Sequence, residues 1–596
     1  MFLGKIGDAP RRARGRAPAA AGAVLALVLL AGCETDGAGR SPDGTAASDG
    51  VDPDGSAGDG NDEGNGQEEP QGLVATLAVP GETLVVTGEA SERSVDVAGA
   101  LFASAPVVVL ASPEEQLRAA SAGAALGVPV LVDGVDTAAE LERLGTEVVL
   151  ALGEVADPGL DVVVPQDDAA LARLLGTEPE TVSAEEALDR LSEVSPGSPA
   201  LLVPAPTDST PDGDEDAATV APPDDASSTS GTPGPTLLAA DLDELPPTAA
   251  PEPLAGTVVL TAGDDEDLAA LGSARAAGAM IVRAEGGDPR ATGESVQALA
   301  GAAPQALIGL GEDFVDAETL AWRSRVAATG VELPGGGQLV LPDKTYVALY
   351  GTPGSGALGV LGEQPEEETV TRAEELAAAY AELTDEPVIP TLEIIATIAS
   401  SEAGPDGNYS TERSVEELRP LIELAGEHGM YVVLDLQPGR TDFVTQARIY
   451  EDLLRLPHVG LALDPEWRLR DGEVHLVQIG QVEVAEVDEV VTYLADLTRE
   501  NDLPQKVLVL HQFQIRMLPG VNDVDQSRSE LAVLIHVDGQ GAQPDKQATW
   551  RSLLNNAPEV EHWGWKNFYD EDIPGPLSPE ETMSLVEPTP DFISYQ

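Results

Sequence analysis

The sequence predicts an α/β protein in two parts: Rossmann-like α/β repeats in the N-terminal half and a (β/α)8 barrel of the TIM type at the C-terminal end. Three observations predict this. From Leu73 onward, short Val- and Leu-rich runs of the kind buried in parallel sheets alternate with Ala-rich amphipathic stretches. The order of those runs recurs about 150 residues further on. From Leu341 onward, eight strand-like runs alternate with helical stretches, the count a closed parallel barrel requires.

At the N-terminus, Arg11, Arg12, Arg14 and Arg16 precede an uncharged apolar run from Ala19 to Leu30, the pattern of a signal peptide. The run is shorter than the roughly 20 apolar residues that span a bilayer, and it ends in Leu30, Ala31, Gly32 and Cys33. This resembles the lipobox of bacterial lipoproteins. The resemblance implies that residues 1–32 are removed, that the Cys33 thiol carries diacylglycerol, and that an acylated (palmitate-type) N-terminus holds the chain at the outer face of the cell membrane. Cys33 is the only cysteine, so no internal disulfide is available and the domains must stand on their hydrophobic cores.

Residues 33–72 are almost wholly Gly, Asp, Ser, Glu and Pro, a composition too poor in apolar area to offset chain entropy. They read as a disordered acidic tether, reaching roughly 30 to 40 Å. A second segment of the same kind, 203–236, contains the acidic run Asp212 to Asp216 and reads as a linker. Between them, 73–202 holds strand candidates Val107 to Leu110, Val128 to Val132 and Val148 to Leu152, with helices expected at Glu114 to Leu126 and Thr137 to Leu144. The scheme recurs in 237–330 as Thr257 to Leu260, a helix from Asp265 to Ala277, Ala279 to Val282, and Ala306 to Gly311.

The unit resembles the cell wall-binding repeat 2 family. The resemblance rests on the Val107 to Leu110 strand, the Ala119 to Leu126 helix, Gly127 to Leu131, Leu141 to Gly145 and Val148 to Gly153; the second copy is more degenerate, with Gly278 to Ile281 in place of the proline strand. A generic doubly wound α/β domain is the alternative. The resemblance implies non-covalent attachment to an anionic wall polymer. Against it stands the charge: 32 basic and 104 acidic residues give −72, so a divalent cation would have to bridge protein and wall. With no basic patch interleaved with aromatics, nucleic acid is excluded as a partner.

In 341–596 the strand candidates are Thr345 to Tyr350, Ile389 to Ile398, Tyr431 to Leu436, Val459 to Asp464, Val507 to Gln512, Leu531 to Asp538, His562 to Phe568 and Phe592 to Gln596. Helical stretches are expected at Arg372 to Leu383, Val415 to His428, Phe443 to Leu454, Ala485 to Arg499, Lys546 to Leu554 and Pro579 to Leu585, and the link after the fifth strand is too short for a full helix. A flavodoxin-like open sheet is the rival architecture. In a barrel, active residues gather at the C-terminal ends of the strands. Those ends supply Glu393, Asp435, Asp464, Glu466 and Asp538 as candidate catalytic carboxylates, and Tyr350, His511, His536, Trp467, Trp563, Trp565 and Lys566 as candidate substrate-binding residues. Alternation puts Gly460, Ala462, Asp464 and Glu466 on one face of the fourth strand, and His536 with Asp538 on one face of the sixth.

Paired carboxylates are what glycosidic bond cleavage needs, and Trp or Tyr rings give sugars a flat surface. In plan the domain resembles a glycoside hydrolase barrel, which implies a glycan-directed hydrolase-like activity; a non-catalytic cell-wall or carbohydrate reader is the alternative. Asp464 before Pro465 and Asp435 before Gln437 to Gly439 also suit turns, Glu393 also suits a helix-facing position, and His511 and His536 also suit a hydrogen-bonded core. Asp435, Asp464, His511, His536 and Asp538 are typical metal ligands, but no spacing of the H-x-x-H or H-E-x-x-H type occurs, so metal is the minority reading and no cofactor is expected.

Overall fold

The computed structural model describes residues 72–206, 240, 242 and 244–596. Cys33, the expected signal peptide, the tether and nearly all of the expected linker lie outside the described residues.

The N-terminal half contains two four-stranded parallel sheets. The first runs in the order Val130–Val132, Val107–Ala111, Val148–Leu152, Asp161–Val163, and the second Met280–Arg283, Thr257–Thr261, Ala306–Leu310, Leu84–Val86. The last strand of the second sheet thus comes from chain that precedes the first sheet. Val107–Ala111 and Thr257–Thr261 are buried throughout, which is why both read as continuous apolar runs. The helices Gln116–Leu126 and Leu268–Ala276 pack directly on each other, so closely that a Cβ on Gly272 would stand 2.4 Å from Ala120 Cα. Small side chains are what that approach requires. Arg93 is buried at the seam, 2.6 Å from Asp267, which also accepts a 2.6 Å hydrogen bond from Thr261.

The C-terminal part is a closed barrel of eight parallel strands: β1 Thr345–Gly351, β2 Val388–Ala399, β3 Tyr431–Leu436, β4 Val459–Leu463, β5 Lys506–His511, β6 Leu531–Val537, β7 His562–Asn567 and β8 Phe592–Tyr595. Closure is direct: β1 pairs with β2 on one side and with β8 on the other. The open-sheet alternative is thereby excluded. Helices α1 Glu366–Ala381, α2 Val415–Glu427, α3 Phe443–Ile449 with α4 Glu451–Leu454, α5 Val484–Glu500, α6 Gln543–Asn556 and α7 Pro579–Leu585 wrap the outside. Between β5 and β6 lie only two single-turn 3-10 segments, Ile515–Met517 and Val521–Asp523, as the short link predicts.

The strands read correctly because their side chains alternate between two cores. Tyr346, Ala348, Tyr431, Val433, Ala462, Val507, Val509, Leu534 and Phe592 fill the barrel interior, while Val347, Leu349, Val432, Leu434, Leu461, Leu463, Val533, Ile535 and Val537 pack against the helices. Gly460 makes room inside: a Cβ there would lie 3.0 Å from the Tyr431 hydroxyl. The N-terminal half meets the residues that precede the strands. Arg290 donates to Ser529 O at 3.1 Å, Gln505 accepts from Val340 N at 2.9 Å, and Arg290 and Arg499 both lie 4.7 Å from the Trp322 ring centroid. Among the described residues, the C-terminal ends of the strands, at the other end of the barrel, lie away from these contacts.

Candidate active site

Above the apolar interior every strand places a polar residue on the same inward face. Tyr350, Glu393, Asp435, His511, His536, Lys566 and Ser594 stand on their strands, while Asp464 and Asp538 directly follow β4 and β6. All are buried, with exposure between 0% and 8%. Seven of them, all but Asp464 and Lys566, form one floor linked by hydrogen bonds and by the His511–Asp435 ion pair. His511 sits at its centre, with Nε2 2.8 Å from Glu393 Oε1 and 3.9 Å from Asp435 Oδ1, and Nδ1 3.1 Å from Asp538 Oδ2. Tyr350 donates to Asp435 Oδ2 at 2.9 Å. His536 Nδ1 lies 3.3 Å from His511 Nδ1, and its Nε2 lies 3.1 Å from Ser594 Oγ. Gly564 admits that ring, since a Cβ there would be 2.5 Å from His536 Cδ2.

The electrostatics follow from burial and from these contacts. Burial disfavours the His511 cation, but Glu393, Asp538 and Asp435 outweigh it and hold the ring protonated well above the usual histidine range. Burial likewise works against ionised Glu393, yet the charge and hydrogen bond of His511 hold it down at about 2. Asp538 is lowered for the same reason, again against burial. His536, buried and beside that cation, falls to about 3 and stays neutral. The remaining carboxyls are pushed the other way. Burial lifts Asp435 to about 6; it lifts Asp464 well above the carboxylate range with help from Asp435, and Glu466 to about 7 with help from Asp538. Glu393 and Asp538 are therefore ionised, whereas Asp464 is held protonated and Glu466 titrates near neutral pH.

A cavity of about 390 Å³ opens over this floor, lined by Tyr350, Gln437, Asp464, Glu466, Trp467, Phe513, Asp538, Lys566, Phe568 and Gln596 together with Leu358 and Leu476. Lys566 Nζ lies 3.3 Å from the Tyr350 ring centroid and brings the one cationic side chain to the lining. At the rim, Trp467 stands edge-on to His475 at 5.3 Å, His475 to Tyr409 at 6.4 Å, and the Arg440 guanidinium covers Tyr409 at 4.5 Å.

The structure brings together Tyr350, Asp464, Glu466, Trp467, Asp538 and Lys566 at the cavity, with Glu393 and Asp435 beneath it. Glu393 faces inward, not toward a helix. Four expectations need correction. Trp563 and Trp565 are buried outside the barrel, 3% and 1% exposed, with ring centroids 5.9 and 5.7 Å from Trp550, so neither can stack on a sugar. His511 and His536 are wholly buried and do not line the cavity, so neither can touch a substrate held there. Sequence reasoning passed over Gln437, Phe513, Phe568 and Gln596. Gln437 and Gln596 each directly follow a strand, as Asp464 and Asp538 do, and that position was the available signal.

No family model matches the chain, and no curated protein matches it. Among solved structures, Cwp6 from Clostridium difficile is similar at 11% identity and a TM-score of 0.30, over 63% of this chain and 65% of Cwp6. Concanavalin B is similar at 12% identity and a TM-score of 0.25, over 42% of this chain and 93% of that protein. The chain thus spans just under two thirds of the length of Cwp6. Likenesses this loose bear on neither activity nor ligand.

Proposed function

We propose that the chain is an envelope lipoprotein, anchored at the outer face of the membrane through Cys33, whose barrel hydrolyses a glycan by paired carboxyl groups. The observation that carries the reading is that Glu466, which titrates at about 7, and ionised Asp538 line the same cavity. A proton donor and a base or nucleophile are the two parts that glycosidic cleavage requires. Asp464 adds a second protonated carboxyl beside them. Trp467 at the rim offers a ring face for a sugar, and Lys566 and Gln437 offer donors to its hydroxyl or carboxylate groups. In this reading the N-terminal sheets, through their likeness to cell wall-binding repeats, keep the barrel at the wall polymer.

The test is release of reducing sugar from purified wall glycan. Glu466→Gln is expected to lower kcat/KM by about 10²- to 10⁴-fold, the usual weight of general acid catalysis, with folding unchanged. In the wild type kcat/KM should fall as pH rises above about 7, because the acid then loses its proton. Burial sets that limb, with Asp538 raising it and Lys566 and His511 lowering it, and Glu466→Gln should abolish it. Unchanged turnover in Glu466→Gln sinks the assignment. Glycan retention by a chain that releases no sugar, lost in Trp467→Ala, favours the non-catalytic reader instead.

A further inference from the structure

We propose that the barrel floor is a binding site for one divalent first-row transition metal, with zinc the best fit, held by His511, His536, Glu393 and Asp435. The inference concerns the floor beneath the cavity and does not depend on the hydrolase reading.

Three donors from three strands already converge: one ligand atom each from Glu393, His511 and His536 lie within 4.8 Å of one another. A zinc ion with bonds of about 2.0 to 2.2 Å draws its ligands to roughly 3.3 Å apart across a tetrahedron, so the donors close by at most about 1.5 Å. Carboxylate oxygens of the floor are left without partners, Asp538 Oδ1 among them. Glu393 Oε2 and Asp435 Oδ1 are buried and make no hydrogen bond, an arrangement that is costly for a carboxylate oxygen unless something else meets it.

The outward-facing atoms are tied down in the manner of a metal site's supporting shell. His511 Nδ1 is held by Asp538 at 3.1 Å, His536 Nε2 by Ser594 at 3.1 Å, and Asp435 Oδ2 by the Tyr350 hydroxyl at 2.9 Å. Such contacts fix the tautomer of each imidazole and aim its other nitrogen at the ion. They leave His511 Nε2 on Glu393 Oε1 at 2.8 Å and His536 Nδ1 on His511 Nδ1 at 3.3 Å, a contact that His536 gives up to reach the ion. Two imidazoles with two carboxylates select zinc and its neighbours over calcium or magnesium, which prefer oxygen alone. On binding, the metal takes the place of the proton between His511 Nε2 and Glu393, and that proton leaves to solvent.

The experiment is zinc uptake by the detergent-solubilised full chain, measured by competition with a chromophoric chelator in excess calcium, which saturates oxygen-only sites on so acidic a surface. One equivalent of zinc is expected, with a higher Tm and a measurable release of protons in weak buffer. Glu393→Gln should weaken binding at least 100-fold. Ser594→Ala, which touches no metal, should weaken it 10- to 100-fold, as loss of a supporting contact does. Circular dichroism on the metal-free variants separates loss of ligand from loss of fold. Failure of the folded wild type to take up zinc, uptake that calcium abolishes, or equal affinity in folded Glu393→Gln and Ser594→Ala would each overturn the site. No substrate enters the measurement, so its outcome is separate from that of the hydrolysis test.

Discussion

Trp565 and Trp467 show how a single side chain's direction separates scaffold from site. Trp565 fills the layer between barrel and helices, against Trp550 and under the Lys546 ammonium at 4.8 Å. Trp565→Ala is expected to cost about 3 to 5 kcal/mol of stability through the cavity it leaves. Trp467→Ala removes a half-exposed rim ring, so it should change stability by less than about 0.5 kcal/mol and instead weaken glycan binding. Urea denaturation of both variants beside glycan affinity electrophoresis decides the assignment; a stable Trp565→Ala variant with lost binding would reverse it. The direction was legible. Residues two apart on a strand share a face, so Trp563 and Trp565 face together while Gly564 and Lys566 face the other way. Trp563 and Trp565 therefore cannot share the mouth with Lys566, and the lysine is the one the cavity holds.

At the scale of elements, the strands were legible because each carries its own period-2 signal, and the missing helix after β5 was legible from chain length alone. What the strands assemble was not. His511 and Glu393 are separated by 118 positions and meet only because the barrel closes, so no spacing motif announces the floor. Leu84–Val86 is a sharper case: nothing local says that this strand joins Ala306–Leu310, on the far side of an intervening sheet. The helix pair Gln116–Leu126 and Leu268–Ala276 lies between those sheets, and its contact has a testable limit. Gly272→Val would drive a side chain into the Ala120 backbone, an overpacking that costs about 1 to 3 kcal/mol or more where backbone cannot shift. Calorimetry should show the N-terminal half melting earlier while turnover or ligand binding at the barrel mouth, at the other end of the barrel, is unchanged below that melting. Equal loss of both would mean that the two halves unfold as one.

For the whole molecule, the charge of −72 bears on where the chain would stay without the lipid anchor proposed above. An acidic protein and an anionic wall polymer repel one another, and at physiological salt that repulsion reaches only about 8 Å, so it acts at the contact itself. Close contact therefore needs counter-charge, and divalent cations shared between the two surfaces can supply it. Cys33→Ser removes the lipid anchor proposed above and leaves wall affinity as the only tie. In cells the variant is expected to leave the membrane fraction, to stay on isolated walls in millimolar calcium or magnesium, and to appear in the supernatant when a chelator is added. The lipidated wild type should stay with the membrane under both conditions, because two or more acyl chains hold independently of charge. Fractionation and immunoblotting read all four cases. A Cys33→Ser chain that remains on the membrane would remove the lipid anchor, and one that stays on walls in the presence of chelator would remove the cation bridge and require a contact made by neutral groups of the two sheets.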